Sequence, residues 1–223
     1  MRQIEAVIFD LDGLMIDTEP LAQQAWDRVL QDHGRRLDSA IFSRMIGLRL
    51  TESSRVIKAA YDLETSAIDL AHKETFYMSQ IMAQGIPTMP GLRRLITEFE
   101  RRRAPWAVAT SSQRKYAVEV LDQLDLLEKC GGIAAGDEVE HGKPRPDVYL
   151  LAANRLDIDP EACLALEDSV PGINAASAAG MLAVAVPNGE TSSMNFEEAA
   201  FVYDSLLEVM ANLDELLGHD LVE

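Results

Sequence analysis

The chain has 223 residues, 48% of them hydrophobic and 26% charged, which suits one sizeable soluble domain or a core with a smaller second unit. Its formal net charge of −17 repels polyanions, so a nucleic acid polymer is excluded as a bulk partner. A small phosphate stays possible where local cations or a metal ion offset that field.

The N-terminus leads directly into a strand-like segment, Ile4 to Phe9, without the basic, apolar and small-residue order of a signal peptide. Within it, Ala6-Val7-Ile8-Phe9 is a short continuous apolar run of the kind found in a buried central strand. Asp10, Leu11, Asp12 and Gly13 follow. Residues i and i+2 of an extended chain point to one side, so two carboxylates converge at the carboxyl end of a central strand. Open α/β sheets place their ligands there. Two like charges so close need a cation or a proton between them. A hard ion such as Mg²⁺ answers that need and leaves one carboxylate for proton transfer. The competing reading is a pair of exposed turn aspartates, since Asp-Gly is a common turn.

From about Glu19 to Gly85 the pattern is helix after helix, with no strand-like run. Leu21, Ala22, Ala25, Trp26, Val29 and Leu30 fall at helical spacing, which makes Trp26 part of an internal core, and Gly34 is a stop signal. Segments 53–61 and 68–82 repeat the period. The block enters near Leu14 to Thr18 and leaves through Gly85-Ile86-Pro87-Thr88-Met89-Pro90-Gly91, a stretch with hinge chemistry. These limits define a core of residues 1–16 and 88–223 and an inserted helical unit of residues 17–87. An insertion whose ends lie close together is a natural lid.

Downstream, short apolar runs at Trp106 to Ala109, Gly132 to Ala135, Cys163 to Leu166 and Leu182 to Val186 alternate with helical segments 114–127, 147–156 and 172–180. This alternation predicts an α/β fold, a Rossmann-like parallel sheet with helices on both faces. Three of its joints carry polar groups. Thr110-Ser111-Ser112 end one strand: either serine can cap the next helix, or Thr110 and the backbone N–H groups there can hold a phosphate. His141-Gly142-Lys143-Pro144-Arg145-Pro146-Asp147 places Lys143 in a proline-stiffened loop, able to bind phosphate oxygens and offset the Asp10 charge. Glu167 and Asp168 end another strand, either as dipole partners of the helix or as the remainder of a metal site. Arg101 to Arg103 suit a helix end, the segment from Glu208 to Glu223 reads as a terminal helix with a solvated face, and His33, His72 and His219 read as surface residues. The two cysteines, Cys130 and Cys163, have no metal-type spacing and read as small apolar residues of a disulfide-free cytoplasmic protein. No run of eighteen apolar residues occurs, so no membrane span is expected.

Taken in order, Asp-x-Asp-Gly, Thr-Ser-Ser, Gly-Lys-Pro-x-Pro-Asp and Glu-Asp-Ser-x-x-Gly resemble the four motifs of the haloacid dehalogenase superfamily. Ala175-Ala176 and Ala178-Ala179-Gly180-Met181 also fit its pattern, and the likeness runs from residue 6 to residue 187. The subgroup resembled has a helical cap after the first motif and includes β-phosphoglucomutases, sugar-phosphate phosphatases and pseudouridine-monophosphate phosphatases.

The resemblance implies a magnesium-dependent phosphatase acting on a small phosphomonoester, a sugar phosphate or nucleoside monophosphate. It implies that Asp10 attacks phosphorus to form an aspartyl-phosphate and that Asp12 protonates the leaving oxygen and then activates water. Mg²⁺ would sit with Asp10, the Asp12 backbone carbonyl and Asp168, with Glu167 nearby. Thr110, Ser111 and Lys143 would hold the phosphoryl group, and Glu19 and Arg49 would face the substrate from the cap. The dehalogenase branch, which attacks carbon, lacks the second aspartate of the first motif, so Asp12 points to phosphoryl chemistry. The partner expected is a small phosphorylated metabolite, and the expected state a monomer or weak dimer.

The alternative within the family is a sugar phosphomutase. Its members carry a histidine four residues after the threonine of an Asp-Thr pair; here the pair is Asp17-Thr18 and the residue is Ala22. They also carry a cap arginine just after a Gly-x-Ser segment; here Gly47-Leu48-Arg49-Leu50 displaces the arginine by one place and puts Leu50 in its position. Met45 to Leu48 and Glu52 resemble phosphatase caps instead, and His141 to Pro144 share a His-Gly-Lys-Pro context with the pseudouridine-monophosphate phosphatases. A third reading, a phosphate-sensing module without catalysis, would fit a chain that had lost a motif carboxylate; none is lost.

Overall fold

The apolar run that opens the chain forms β1 (Ala6–Phe9), buried along its whole length. A computed structural model describes residues 3–45, 48, 50–189 and 191–218. Residues Met1–Ile16 and Thr88–Glu223 make one compact unit, and Asp17–Pro87 a second.

The second unit holds α1 (Glu19–Gln31), α2 (Ser39–Ser43), α3 (Leu50–Tyr61) and α4 (Ala67–Met82). Its core joins Trp26, Val29 and Leu30 of α1 to Phe42, Met45, Ile57 and Leu70, with Ala22 packed against them. Ser66 caps α4 through its Oγ, which accepts from the Asp69 N–H at 3.1 Å. Lys73 and Tyr77 of α4 both reach Asp32, just beyond α1, at 2.7 and 2.9 Å. Segment 19–31 stops three residues before Gly34, which instead takes a left-handed turn conformation at φ +67°. His33 departs from its expected surface role: it is half-buried, and its Nε2 is buried without a hydrogen-bond partner.

The first unit continues with α5 (Leu92–Arg102), β2 (Trp106–Ala109), α6 (Arg114–Gln123), β3 (Ile133–Ala134), α7 (Asp147–Leu156), β4 (Cys163–Glu167), α8 (Val170–Ala178), β5 (Leu182–Ala185), β6 (Phe201–Val202), α9 (Leu206–Ala211) and α10 (Leu213–Leu217). All strand pairings are parallel, in the order β3-β2-β1-β4-β5-β6. The chain therefore winds outward from β1 to β3, then crosses back and winds outward from β4. The carboxyl ends of β1 and β4 flank that reversal, where α/β sheets of this kind bind ligands.

Strand residues alternate between two cores. Ala6, Ile8, Ala107, Ala109 and Ala165 face Val148, Tyr149, Ala152 and Ala153 of α7 and Ile173, Ala175 and Ala176 of α8. Alanine on strand and helix alike lets these helices approach the sheet closely. On the other face the Phe9 ring meets Phe99 of α5 and Trp106 edge-on at 5.9 and 5.8 Å. Each such fully buried aromatic stabilises the sheet by roughly 1.5–3 kcal/mol through transfer alone.

The C-terminal segment is two short helices broken at Asn212, not one helix from Glu208. Their apolar residues Leu206, Val209, Leu213, Leu216 and Leu217 are buried, so the segment is part of the core. The arginines ending α5 pair with carboxylates as well as meeting the helix dipole: Arg101 and Arg102 both bind Glu98, and Arg102 reaches Asp214 at 2.5 Å. No described helix is long and apolar enough to cross a membrane.

Candidate active site

β1 delivers Asp10 to the sheet's carboxyl edge, and the Asp10 N–H donates to Leu166 O of β4 at 2.9 Å, which extends the strand pairing by one residue. The chain then turns. Met15 and Ile16 donate backbone N–H groups to Leu11 O, and Gly13 donates to Ile16 O. Gly13 sits at φ +87°, and a Cβ there would lie 2.4 Å from Asp168 Oδ2. Glycine is required on both counts. The turn is no solvated Asp-Gly corner, because Leu11, Leu14, Met15 and Ile16 are fully buried around it and Asp10 is only 6% exposed.

Lys143 comes from the loop before α7, whose Lys143–Pro144 peptide is cis. Its Nζ contacts Asp10 Oδ1, Glu167 Oε1 at 2.6 Å and Ala109 O at 3.1 Å, and it lies 5.0 Å from the centre of the Tyr149 ring. Burial opposes its charge, but Asp10 and Glu167 outweigh that and hold its pKa well above the usual lysine value. Glu167 is fully buried at the end of β4. Its Oε1 also accepts from the Tyr149 hydroxyl at 3.2 Å, and its Oε2 from the Ser169 N–H and Oγ at 2.8 and 2.9 Å. Four donors account for the four lone-pair sites of a carboxylate. Gly172 makes room for it: a Cβ there would fall 1.6 Å from Oε1.

Asp168 lies one residue on. Asn188, just past β5, donates from Nδ2 to Asp168 Oδ2 at 2.9 Å and to Gly13 O at 3.2 Å. Burial raises the Asp168 pKa to about 8, and the Glu167 charge adds to it. Asp10 is likewise pushed up, chiefly by burial; Lys143 opposes the shift and Glu167 and Asp168 add to it. Asp10, Glu167 and Asp168 each offer an oxygen within 4.8 Å of the others. Three carboxylates thus lie around one ammonium, a balance that calls for a further cation or a proton.

Asp12 has its own set of partners beside this cluster. Its Oδ1 accepts from the Tyr116 hydroxyl at 2.8 Å. Its Oδ2 accepts from Ser112 Oγ at 2.8 Å and Thr110 Oγ1 at 3.4 Å. Burial raises its pKa, while the Ser112, Tyr116 and Thr110 hydroxyls work the other way. Thr110 is buried at the end of β2, and its Oγ1 also accepts from the Ser112 N–H at 3.0 Å.

The structure therefore brings Asp10, Asp12, Thr110, Lys143, Glu167 and Asp168 together at the ends of β1, β2 and β4 and the loop before α7. Ser111 is exposed, and its neighbour Ser112 turns inward instead. Neither serine caps α6, whose N-cap is Gln113. Glu19 opens α1 in the helical unit. Arg49, like Gly47 and His219, lies outside the described residues.

Tyr116, Tyr149 and Asn188 were not expected at the site. Tyr149 looks like any apolar residue of an α7 stripe. Asn188 follows a strand end at a sheet edge that binds ligands, which is a positional signal. Tyr116 lies on the first turn of the helix that follows Thr110-Ser111-Ser112, which is a positional signal.

A family model of haloacid dehalogenase-like hydrolases matches residues 4–180. The phosphorylated carbohydrates phosphatase of Thermotoga maritima is 33% identical, covering 80% of this chain and 82% of its own. The fructose-1-phosphate phosphatase of Escherichia coli K12 is 36% identical, covering 81% and 95%. The β-phosphoglucomutase of Bacillus subtilis is 30% identical, covering 84% and 85%. Among solved structures, CbbY from Rhodobacter sphaeroides in complex with phosphate superposes with a TM-score of 0.80 at 30% identity, covering 95% of this chain and 99% of that one.

Proposed function

The chain belongs to the haloacid dehalogenase-like hydrolases, and from that footing we propose that it is a magnesium-dependent phosphatase of a small phosphomonoester, a sugar phosphate or nucleoside monophosphate, working through an aspartyl-phosphate. One observation carries this reading: a buried carboxylate, Asp10, touches a buried ammonium, Lys143, while a second carboxylate, Asp12, is held beside it by the hydroxyls of Ser112, Thr110 and Tyr116.

The donor set fits a hard divalent cation, because the cluster is carboxylate oxygen throughout and carries more negative charge than Lys143 offsets. Asp10, Asp168 and the Asp12 backbone carbonyl would hold it. Glu167 has its lone pairs filled by Lys143, Tyr149 and Ser169, and so supports the site from behind. When bound, magnesium supplies charge neutralisation for the phosphoryl oxygens and the Asp10 carboxylate.

In the first step an Asp10 oxygen forms a bond to phosphorus and the ester P–O bond breaks. Asp12 passes its proton to the departing alkoxide oxygen. Lys143 and Thr110 bind the phosphoryl oxygens during the transfer, which asks for positioning and charge neutralisation above all. In the second step Asp12, now ionised, takes a proton from water as the water oxygen bonds to phosphorus. The bond to Asp10 breaks, and inorganic phosphate and free Asp10 result.

Substrate choice belongs, in this reading, to the helical unit, with Glu19 and Arg49 as its candidate contacts. A mutase would need a group there to hold the aspartyl-phosphate against water. Ala22, at the position of the mutase histidine, packs against the unit's own apolar core, and Leu50 stands where the mutase arginine would be. Cys130 and Cys163 are unpaired thiols, as in a reducing cytoplasm.

The test is phosphate release from a panel of hexose phosphates, hexitol phosphates and nucleoside monophosphates, with and without Mg²⁺. Release only in the presence of the metal is expected. Interconversion of hexose phosphates with no release from any ester would replace the phosphatase reading by the mutase.

A further inference from the structure

Asp12 is the only group in the proposed reaction that must give a proton in one step and take one in the next, and so its orientation matters twice. We infer that Tyr116, on the first turn of α6, is a positioning residue that fixes the Asp12 carboxylate for proton transfer to the leaving group; the inference rests on the phosphatase reading given above.

The geometry is specific. A carboxylate on a short side chain turns about its last bond unless both oxygens are held. Ser112 Oγ and Thr110 Oγ1 both donate to Oδ2, at 2.8 and 3.4 Å, and leave Oδ1 to Tyr116. The Tyr116 hydroxyl donates to Oδ1 at 2.8 Å. Hydrogen bonds on opposite oxygens define the carboxylate plane, and with it the direction of the lone pair along which the proton leaves. The donors come from different backbone contexts: Thr110 ends β2, Ser112 lies in the loop after it, and Tyr116 is within α6. That loop is itself braced, because the Ser112 N–H donates to Thr110 Oγ1 at 3.0 Å and Gly136 N donates to Ser112 O at 2.9 Å. Gly136 approaches so closely that a Cβ there would lie 2.3 Å from Ser111 O. A helix start packed this tightly can carry a tyrosine whose hydroxyl must land within a few tenths of an ångström of its target.

A role in proton transfer to the leaving oxygen has a signature that a packing role lacks. An alkoxide cannot depart without a proton, whereas p-nitrophenolate is stable as an anion and departs without one. The experiment compares kcat/KM of wild type and Tyr116→Phe, in Mg²⁺, for the hexose phosphate that wild type hydrolyses best and for p-nitrophenyl phosphate. kcat/KM reports the first phosphoryl transfer, the step in which the leaving group goes. The expected loss on the hexose phosphate is about 10- to 100-fold greater than on the nitrophenyl ester, a part of the 10²–10⁴ that a positioned general acid supplies. Ser112→Ala, which removes the shorter of the two hydrogen bonds on the other oxygen, should show the same selective loss and keeps the test alive if Tyr116→Phe does not fold. Equal losses on both esters, or none on either, in a folded variant would overturn the inference while leaving the phosphatase reading in place. Wild-type protein that releases phosphate neither from p-nitrophenyl phosphate nor from any hexose phosphate, hexitol phosphate or nucleoside monophosphate would overturn the reading itself.

Discussion

The two units handle buried charge differently. In the sheet unit every buried carboxylate of the site has named donors: Lys143 for Asp10, four groups for Glu167, Asn188 for Asp168 and three hydroxyls for Asp12. In the helical unit Glu74 of α4 is only 7% exposed, and among the described residues no side chain pairs with it. Burial alone raises its pKa to about 7. The contrast teaches where the chemistry is specified. The sheet edge is held by redundant contacts on rigid elements, as a site that must place atoms within a fraction of an ångström requires. The helical unit is held mainly by its apolar core, which leaves its polar positions free to differ between relatives with different substrates.

Lys143→Met is the largest way to break the contrast. It leaves Asp10 and Glu167 buried without their cation, and removing one partner of a buried pair costs about 3–5 kcal/mol. Urea unfolding should show that loss in the sheet unit, and kcat/KM should fall by at least about 10²-fold, the scale of one lost transition-state donor. A variant as stable as wild type would mean that these carboxylates do not depend on Lys143.

Gly172→Ala comes next. Its Cβ would overlap Glu167 Oε1, and the displaced carboxylate would loosen its hold on Lys143. Overpacking of this kind costs about 1–3 kcal/mol, to be read as a lower thermal midpoint together with a lower kcat/KM. An unchanged kcat/KM would show that Glu167 does not position Lys143.

Glu74→Gln is the smallest and acts with opposite sign. A carboxyl whose pKa rises from 4.5 to about 7 on folding stabilises the fold most below pH 4.5, where it is protonated in both states. That contribution is lost as pH rises through about 7, and linkage limits the loss to about 3 kcal/mol. The glutamine cannot ionise, so its thermal midpoint should exceed that of wild type at pH 8 and the gap should close towards pH 4. A gap that does not change with pH would show that Glu74 finds a partner when ionised.

Much of this was legible in the chain. Short apolar runs marked five of the six strands outright, because a parallel strand buried on both faces must be apolar at every position. β6 escaped because two half-exposed residues, Phe201 and Val202, carry no period. Asp10 and Asp168 stood out because each acid ends a strand-like apolar run, and Lys143 because prolines stiffen the loop that carries it. Ser112 was harder to assign, since a serine before a helix reads as a cap, and here a carboxylate 100 residues away takes its hydroxyl. Tyr149 was invisible for the same reason, since its role comes from Glu167, a partner distant in sequence, while Asn188 had only its place past a strand end to mark it. His33 was misread because an isolated histidine says nothing about the packing around it.

The central claim is that Asp10 carries the phosphoryl group, and borohydride trapping during turnover tests it most directly. An aspartyl-phosphate is reduced to homoserine, so peptide mass spectrometry should find homoserine at position 10 only when Mg²⁺ and substrate are both present. Steady phosphate release with aspartate unaltered at position 10, or with homoserine at another aspartate instead, would contradict the account.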